Sequence, residues 1–235
     1  MANRTVLITG ASRGLGRALS EEFANQKDHL ILVARSGSEL ATLAESLASK
    51  GVQITPFICD LTIPEDLQRL ADMVADHGQL DVLINSAGLG FYKPFLEHTP
   101  EEHDQILDLN VRALIHLTHL LVPLMTGNQS GHIVNISSDV GVNPIANMAV
   151  YSASKFAVRG FTLSLAKELR PLGIKTSLIN PGIIDTAFNN SQEGSKEPEW
   201  SLQPKDLAGL ISQVVNQPGY QLVDELTVHP LGQDY

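Results

Sequence analysis

The run Thr5-Val-Leu-Ile-Thr9, the loop Gly10-Ala-Ser-Arg-Gly14-Leu-Gly16 and a helical pattern reaching about Gln26 constrain this chain more than any other stretch. Five residues rich in branched apolar side chains read as a buried strand. A strand that turns on glycines directly into a helix is the setting of a dinucleotide fingerprint. Glycines let backbone approach a pyrophosphate, and the helix N-terminus adds N–H donors and a positive dipole end. The spacing is G-x-x-x-G-x-G rather than G-x-G-x-x-G. Gly10, Ser12, Arg13, Gly14, Leu15 and Gly16 are therefore candidate cofactor contacts, with an ordinary tight turn as the alternative.

The next strand, His29 to Ala34, ends at Arg35-Ser36. A site for NAD usually places an acid there for the ribose 2′-hydroxyl, and this chain has none. Arg35 can instead fork onto a 2′-phosphate, with Ser36 beside it and Arg13 reaching from the glycine loop. This points to NADP(H), against a reading of both arginines as solvated surface charges.

Strand and helix patterns then alternate. Leu40 to Lys50 reads as a helix and Val52 to Ile58 as a strand ending at Cys59-Asp60-Leu61. Asp60 is either an acceptor for the adenine amino group, with Leu61 beside it, or a turn residue. Thr62-Ile-Pro-Glu65 resembles a capping box opening a helix to His77. Leu80 to Ile84 is a strand followed by Asn85-Ser-Ala87-Gly88, small residues that suit close approach of a cofactor. Thr99-Pro-Glu-Glu102 starts a helix expected to run to about Met125. Within it Asn110 is a polar residue among Leu107, Leu109, Val111 and Leu114, and needs partners if buried. His116 and His119 have no third ligand nearby and read as surface histidines.

His132 to Ile136, Ile174 to Ile179 and Glu225 to His229 complete the strands, and Pro204 to Asn216 a last helix. The expected fold is an α/β, Rossmann-type doubly wound parallel sheet of about seven strands with helices on both faces. It forms one domain over residues 1–235, with a mobile substrate lid near 185–203.

A helix from Ala149 carries Tyr151 and Lys155, four residues apart and one turn apart on one face. A free Tyr has a pKa near ~10. An ammonium one turn away favours the phenolate and brings the group toward the working range.

A net charge of −10 disfavours nucleic acid and anionic membranes. Cys59 is the one cysteine, so no internal disulfide forms and no cysteine metal cluster exists. No secretory leader is evident, and Leu114 to Met125 is too short and too polar to span a bilayer. The expected location is the cytoplasm.

The ordered set Thr9-Gly10 to Gly16, Asp60, Asn85-Ser-Ala-Gly88, Asn110, Ser138, Tyr151, Lys155 and Pro181-Gly182 to Thr186 resembles the short-chain dehydrogenase/reductase family, in its compact branch. The resemblance covers nearly the whole chain; Ser86 replaces an Asn common in that family. It implies hydride transfer between nicotinamide and a carbonyl or secondary alcohol. Tyr151 would be the general acid, and Lys155 would lower its pKa and hold the nicotinamide ribose. Ser138 would bond the substrate oxygen, with Ser137 the competing candidate. Asn110 would anchor a proton relay through water to Lys155. The Ile183 backbone and Thr186 would fix the carboxamide, with Pro181 and Gly182 as further cofactor contacts. Homodimers or homotetramers are usual in the family.

Phe91, Asn143, Met148 and Phe188, with Ser138 and Asp139, are the candidate substrate contacts. Asp139 follows the presumed catalytic Ser; it either binds a hydroxyl or amine of the substrate or is a solvated loop carboxylate. The segment Val223 to Pro230 resembles the branch of sepiapterin reductases and hydroxy-acid or serine dehydrogenases. The implied substrate is a small ketone, a pterin side-chain ketone or a 3-hydroxy acid. The competing readings are a 3-oxoacyl-thioester reductase, a catalytically silent NADP(H)-binding sensor or scaffold, and a sugar-nucleotide epimerase, which needs a larger substrate region than 235 residues supply.

Overall fold

The computed structural model describes residues 4–126, 130–188 and 191–233. The strands are β1 (Thr5–Thr9), β2 (His29–Ala34), β3 (Ile54–Ile58), β4 (Val82–Asn85), β5 (Gly131–Ile136), β6 (Ile174–Pro181) and β7 (Glu225–Val228). They form one parallel sheet in the order β3-β2-β1-β4-β5-β6-β7. The order reverses between β1 and β4, and ligands of open α/β sheets bind beyond the strand carboxyl ends at such a switch point. The expected Rossmann-type architecture is what the chain adopts.

The helices are α1 (Gly14–Asn25), α2 (Gly37–Ala48), α3 (Pro64–Asp76), α4 (Pro100–Leu107), α5 (Leu114–Thr126), α6 (Ala149–Leu169) and α7 (Pro204–Val215). They cover both faces of the sheet. Successive strand residues point to opposite faces. Val6 and Ile8 of β1 therefore pack with Leu19 and Phe23 of α1, Leu40 and Leu43 of α2, and Ile211 of α7. Leu7, between them, packs with Leu70 and Val74 of α3 and with Leu117 and Leu121 of α5. Every residue of β2 is buried, as expected of a strand covered on both sides.

Three local expectations change. The capping box at Thr62 does not form: α3 starts after Ile63 with no side-chain cap. Asp60 wins the competition, because its Oδ1 accepts both the Thr62 N–H at 3.0 Å and the Thr62 hydroxyl at 2.7 Å. Helix α2 begins at Gly37, earlier than the apolar period starting at Leu40 indicates. The helix expected from Thr99 to Met125 is interrupted by a π-helical turn over Asp108–Ala113. The box at Thr99 is formed as expected, the Thr99 side chain accepting from Glu102 N and the Glu102 carboxylate from Thr99 N.

The helical run Pro100–Thr126 is 27 residues long and holds an 18-residue window of mean hydropathy 1.2, enough by length and composition to cross a membrane. Leu114 to Met125 alone falls short of this. Here Leu117, Leu121 and Met125 are buried in the core shared with α3. His116 and His119 are exposed, and no group of metal-binding side chains occurs among the described residues.

Candidate active site

A cavity of about 640 Å³ lies beyond the carboxyl ends of the central strands, within the ~300–1,000 Å³ usual for ligand sites. Gly10, Ser12, Arg13, Gly14, Leu15 and Gly16 all line it. Gly10 has φ +66°, and a Cβ there would stand 2.9 Å from Ala87 Cα. A Cβ on Gly16 would stand 2.1 Å from Gly10 O, so glycine alone lets α1 start this close to the loop. Helix α1 has no side-chain cap and no acid in its first turn. Its first amides, which have no intrahelical partners, are left for an anion.

Thr9 Oγ1 accepts from Ser86 N at 3.0 Å and from Ala87 N at 3.1 Å, tying the end of β1 to the segment after β4. Ala87 and Gly88 line the cavity. Asn85 does not. Its amide donates to Asn135 Oδ1 at 2.9 Å and Thr118 Oγ1 at 3.2 Å, a buried network that holds β4, β5 and α5 together. Its place in this structure is scaffold rather than cavity wall.

Arg35 and Ser36 line the cavity where β2 ends, and Arg13 enters from the glycine loop. Both arginines are exposed, and no ion pair or hydrogen bond engages either guanidinium among the described residues. Leu61 and Cys59 belong to the wall, whereas Asp60 does not. Its Oδ1 accepts from Thr62 in the turn, and its N–H donates to Asp66 Oδ2 at 2.9 Å.

Beyond β5, the Ser137 hydroxyl donates to Lys155 O at 3.1 Å and anchors α6. Ser138 donates to Asp139 Oδ1 at 2.8 Å and stands close enough to the Tyr151 hydroxyl to favour its ionised form. Tyr151 and Lys155 are 8% and 4% exposed. Lys155 Nζ stands 5.5 Å from the Tyr151 ring centroid and donates to Ile136 O at 3.0 Å. Asn110 sits in the π turn, a distortion frequent at functional sites. It donates to Leu89 O at 2.8 Å and Ser154 Oγ at 3.0 Å, and accepts from Leu89 N at 2.9 Å. The cost of a polar side chain inside an apolar helix is thereby met in full. A Cβ on Gly88 would lie 3.4 Å from Asn110 Oδ1 and 3.7 Å from Lys155 Nζ, so the two residues face one space.

The sequence profile of the short chain dehydrogenase family matches residues 4–197. The chain belongs to this family. An uncharacterized oxidoreductase of Staphylococcus saprophyticus is 32% identical over 233 residues, 98% of this chain and 99% of that one. An alcohol dehydrogenase from the archaeon Thermococcus sibiricus, solved with 5-hydroxy-NADP, superposes with a TM-score of 0.94 at 26% identity, covering 100% and 99% of the two chains. A metagenomic short-chain oxidoreductase solved with NADP gives 0.85 at 31% identity, covering 97% and 96%.

In this short chain dehydrogenase burial pushes the Tyr151 hydroxyl above its ordinary value, with Ser138 opposing the rise and Asp139 adding to it. Burial also lowers Lys155, to about 8. Desolvation thus works against the charged form of both groups.

Pro181, Gly182, Ile183 and Thr186 line the cavity as expected. In this turn Gly182 N donates to Val228 O, Asp185 N to Leu202 O and Thr186 N to Ile184 O. Ile183 N donates to Gln233 Oε1 at 3.0 Å. The neighbouring cavity residue Ile184 therefore carries the backbone donor left over in this turn.

Met148, Phe188 and Asp139 line the cavity together with Val140 and Ile145. Phe188 stands 5.6 Å, centroid to centroid, from Tyr151. Phe91 and Asn143 are not part of the wall. Phe91 packs against His98, and Asn143 is exposed with its N–H donating to Asp139 O. Asp139 is buried rather than solvated, and accepts from Ser138, from Val140 N and from Gln233 Nε2. Glu39, in the first turn of α2, and Gln233 also reach the cavity unanticipated, and Lys196 reaches it from the expected lid. None of the three carries a local signal of its own.

Proposed function

We propose that this short chain dehydrogenase transfers a hydride between NADP(H) and a carbonyl or secondary alcohol, with Tyr151 as general acid in the direction of reduction. The carrying observation is that one cavity is lined both by Arg13 and Arg35, unpaired among the described residues, and by Ser138, Tyr151 and Lys155. The NADP-type complexes of the two solved relatives described above support the same cofactor. The residues fit such a group: a glycine cradle at an uncapped helix start, two guanidiniums with no partner among the described residues, and the spare Ile184 N–H. When bound, the cofactor supplies or accepts the hydride.

The remaining chemistry belongs to the chain. Tyr151 O–H gives its proton to the carbonyl oxygen, and Ser138 bonds the same oxygen as charge develops there. Lys155 holds ribose hydroxyls and replaces the Tyr151 proton. Asn110 fixes the Leu89 backbone and, with Lys155, bounds the space beside Gly88 through which protons reach solvent. Val140, Ile145, Met148 and Phe188 favour a small ketone with an apolar flank. Residues 191–203 act as the lid, contributing Ser191 and Lys196 to the cavity; positions 189 and 190 lie outside the described residues. Exposed Leu107 and Phe156, on α4 and α6, support a homodimer or homotetramer, and a buried free Cys59 suits the cytoplasm.

The test is reduction of ethyl acetoacetate, cyclohexanone and acetophenone with NADPH and NADH in parallel. Turnover preferring NADPH is expected. Equal use of both cofactors would defeat the roles of Arg13 and Arg35, and tight NADPH binding with no turnover would favour a silent sensor.

A further inference from the structure

The segment after β7 returns to the catalytic centre through Gln233. Gln233 Nε2 donates to Asp139 Oδ2 at 2.6 Å, and its Oε1 accepts from Ile183 N at 3.0 Å. Asp139 Oδ1 in turn accepts the Ser138 hydroxyl at 2.8 Å and Val140 N at 2.7 Å. An unbroken chain of hydrogen bonds thus joins the turn after β6 to the hydroxyl beside Tyr151.

The contact is shaped on every side. A Cβ on Gly182 would lie 2.3 Å from Gln233 Oε1 and 3.1 Å from Pro230 Cδ, so a glycine there is what admits the amide. Gly232 N donates to Glu199 O at 3.0 Å, and a Cβ on Gly232 would lie 3.1 Å from the Trp200 ring. The segment is wedged between the lid residues and the cofactor turn. Its base is pinned by the Arg159 fork onto Glu225 at 2.7 and 3.0 Å, with Asn180 donating to the same carboxylate at 2.7 Å.

A serine hydroxyl has one proton and rotates to suit its partners. With no substrate present Asp139 takes that proton and fixes the rotor; a substrate oxygen draws the same proton into its own hydrogen bond, so the carboxylate sets where the hydroxyl stands before substrate arrives. We propose that Asp139 and Gln233 are a coupled pair of positioning residues: Asp139 sets the Ser138 hydroxyl, and Gln233 holds Asp139 in register with the turn that grips the cofactor. The inference rests on the roles given above to Ser138 and Tyr151. It also replaces both sequence-based readings of Asp139, as substrate ligand and as solvated charge.

The test uses Asp139→Asn, Gln233→Met and the double variant in the full chain, assayed at saturating NADPH with the best ketone of the panel. Each single variant should lower kcat by roughly tenfold, the scale expected when a reacting group is misplaced by a fraction of an ångström. The double variant should be no slower than the slower single one, because the two residues act as one unit. A merely structural strap would lower the melting temperature, leave kcat unchanged and give additive losses; either kinetic result overturns the proposal. If Gln233→Met does not fold, wild-type kcat in the isosteric Asp139→Asn overturns it equally. Wild-type protein that binds NADPH but reduces none of the panel defeats the proposed function itself, a failure distinct from normal turnover with insensitive variants.

Discussion

Lys155 should make the protein less stable while making it active. Its ammonium is 4% exposed, has no carboxylate partner among the described residues and donates to Ile136 O. A lysine held at about 8 instead of 10.5 gives up, at ~1.4 kcal/mol per tenfold in proton affinity, about 3 kcal/mol of folding stability at pH 7. Replacing it by Met keeps most of the volume and removes the charge. The variant leaves Ile136 O without this donor, which costs about 1 kcal/mol. Lys155→Met should therefore be more stable by about 2 kcal/mol, or roughly 4–8 °C in melting temperature for a domain this size. The sign with pH follows from the lowered value. Below 8 both states hold the proton and the penalty is complete. Between 8 and 10.5 the folded state has lost it while the unfolded state keeps it, so wild-type stability gains on the variant as pH rises. Tyr151, raised in the folded state, acts in the opposite direction only above its ordinary value of 10. Thermal melts of both proteins without added cofactor at pH 7, 8, 9 and 10 isolate Lys155. A Met variant less stable than wild type at pH 7, or a difference that does not shrink by pH 10, would refute the reasoning.

Tyr151→Phe should cut turnover by roughly 10²–10⁴-fold while NADPH binding, followed by its fluorescence, stays within a few-fold of wild type. Arg35→Ala should raise KM for NADPH by roughly 10–100-fold and leave KM for NADH nearly unchanged, since one charge-assisted bond carries about 1.5–3 kcal/mol; equal effects on both cofactors would count against a 2′-phosphate contact. Asn110→Ala strands the Leu89 N–H and carbonyl and removes the donor to Ser154 Oγ, which keeps its bond to Tyr151 O, and should lower stability by about 1–3 kcal/mol in urea titrations as well as slowing turnover.

The parts that the sequence by itself determined are those with a local cause. The glycine loop was legible because strand, turn and helix follow one another within a few residues. The Tyr151–Lys155 pair was legible because helical spacing alone puts the two on one face. The alternation of strands and helices, and the capping box at Thr99, are likewise local chemistry. The tertiary structure decided what depends on distant partners. Asn85 resembles a cofactor residue in sequence, but Asn135 and Thr118 claim its amide from across the core. Asn110 becomes satisfied only because a π turn aims it at Leu89 and Ser154. Asp139 changes from loop charge to buried acceptor because Gln233, 94 positions away, folds onto it. Burial raises Tyr151 and lowers Lys155 through elements likewise distant in the chain. Spacing reports how close two groups can come, whereas desolvation depends on every element packed around them, and only the folded chain supplies that.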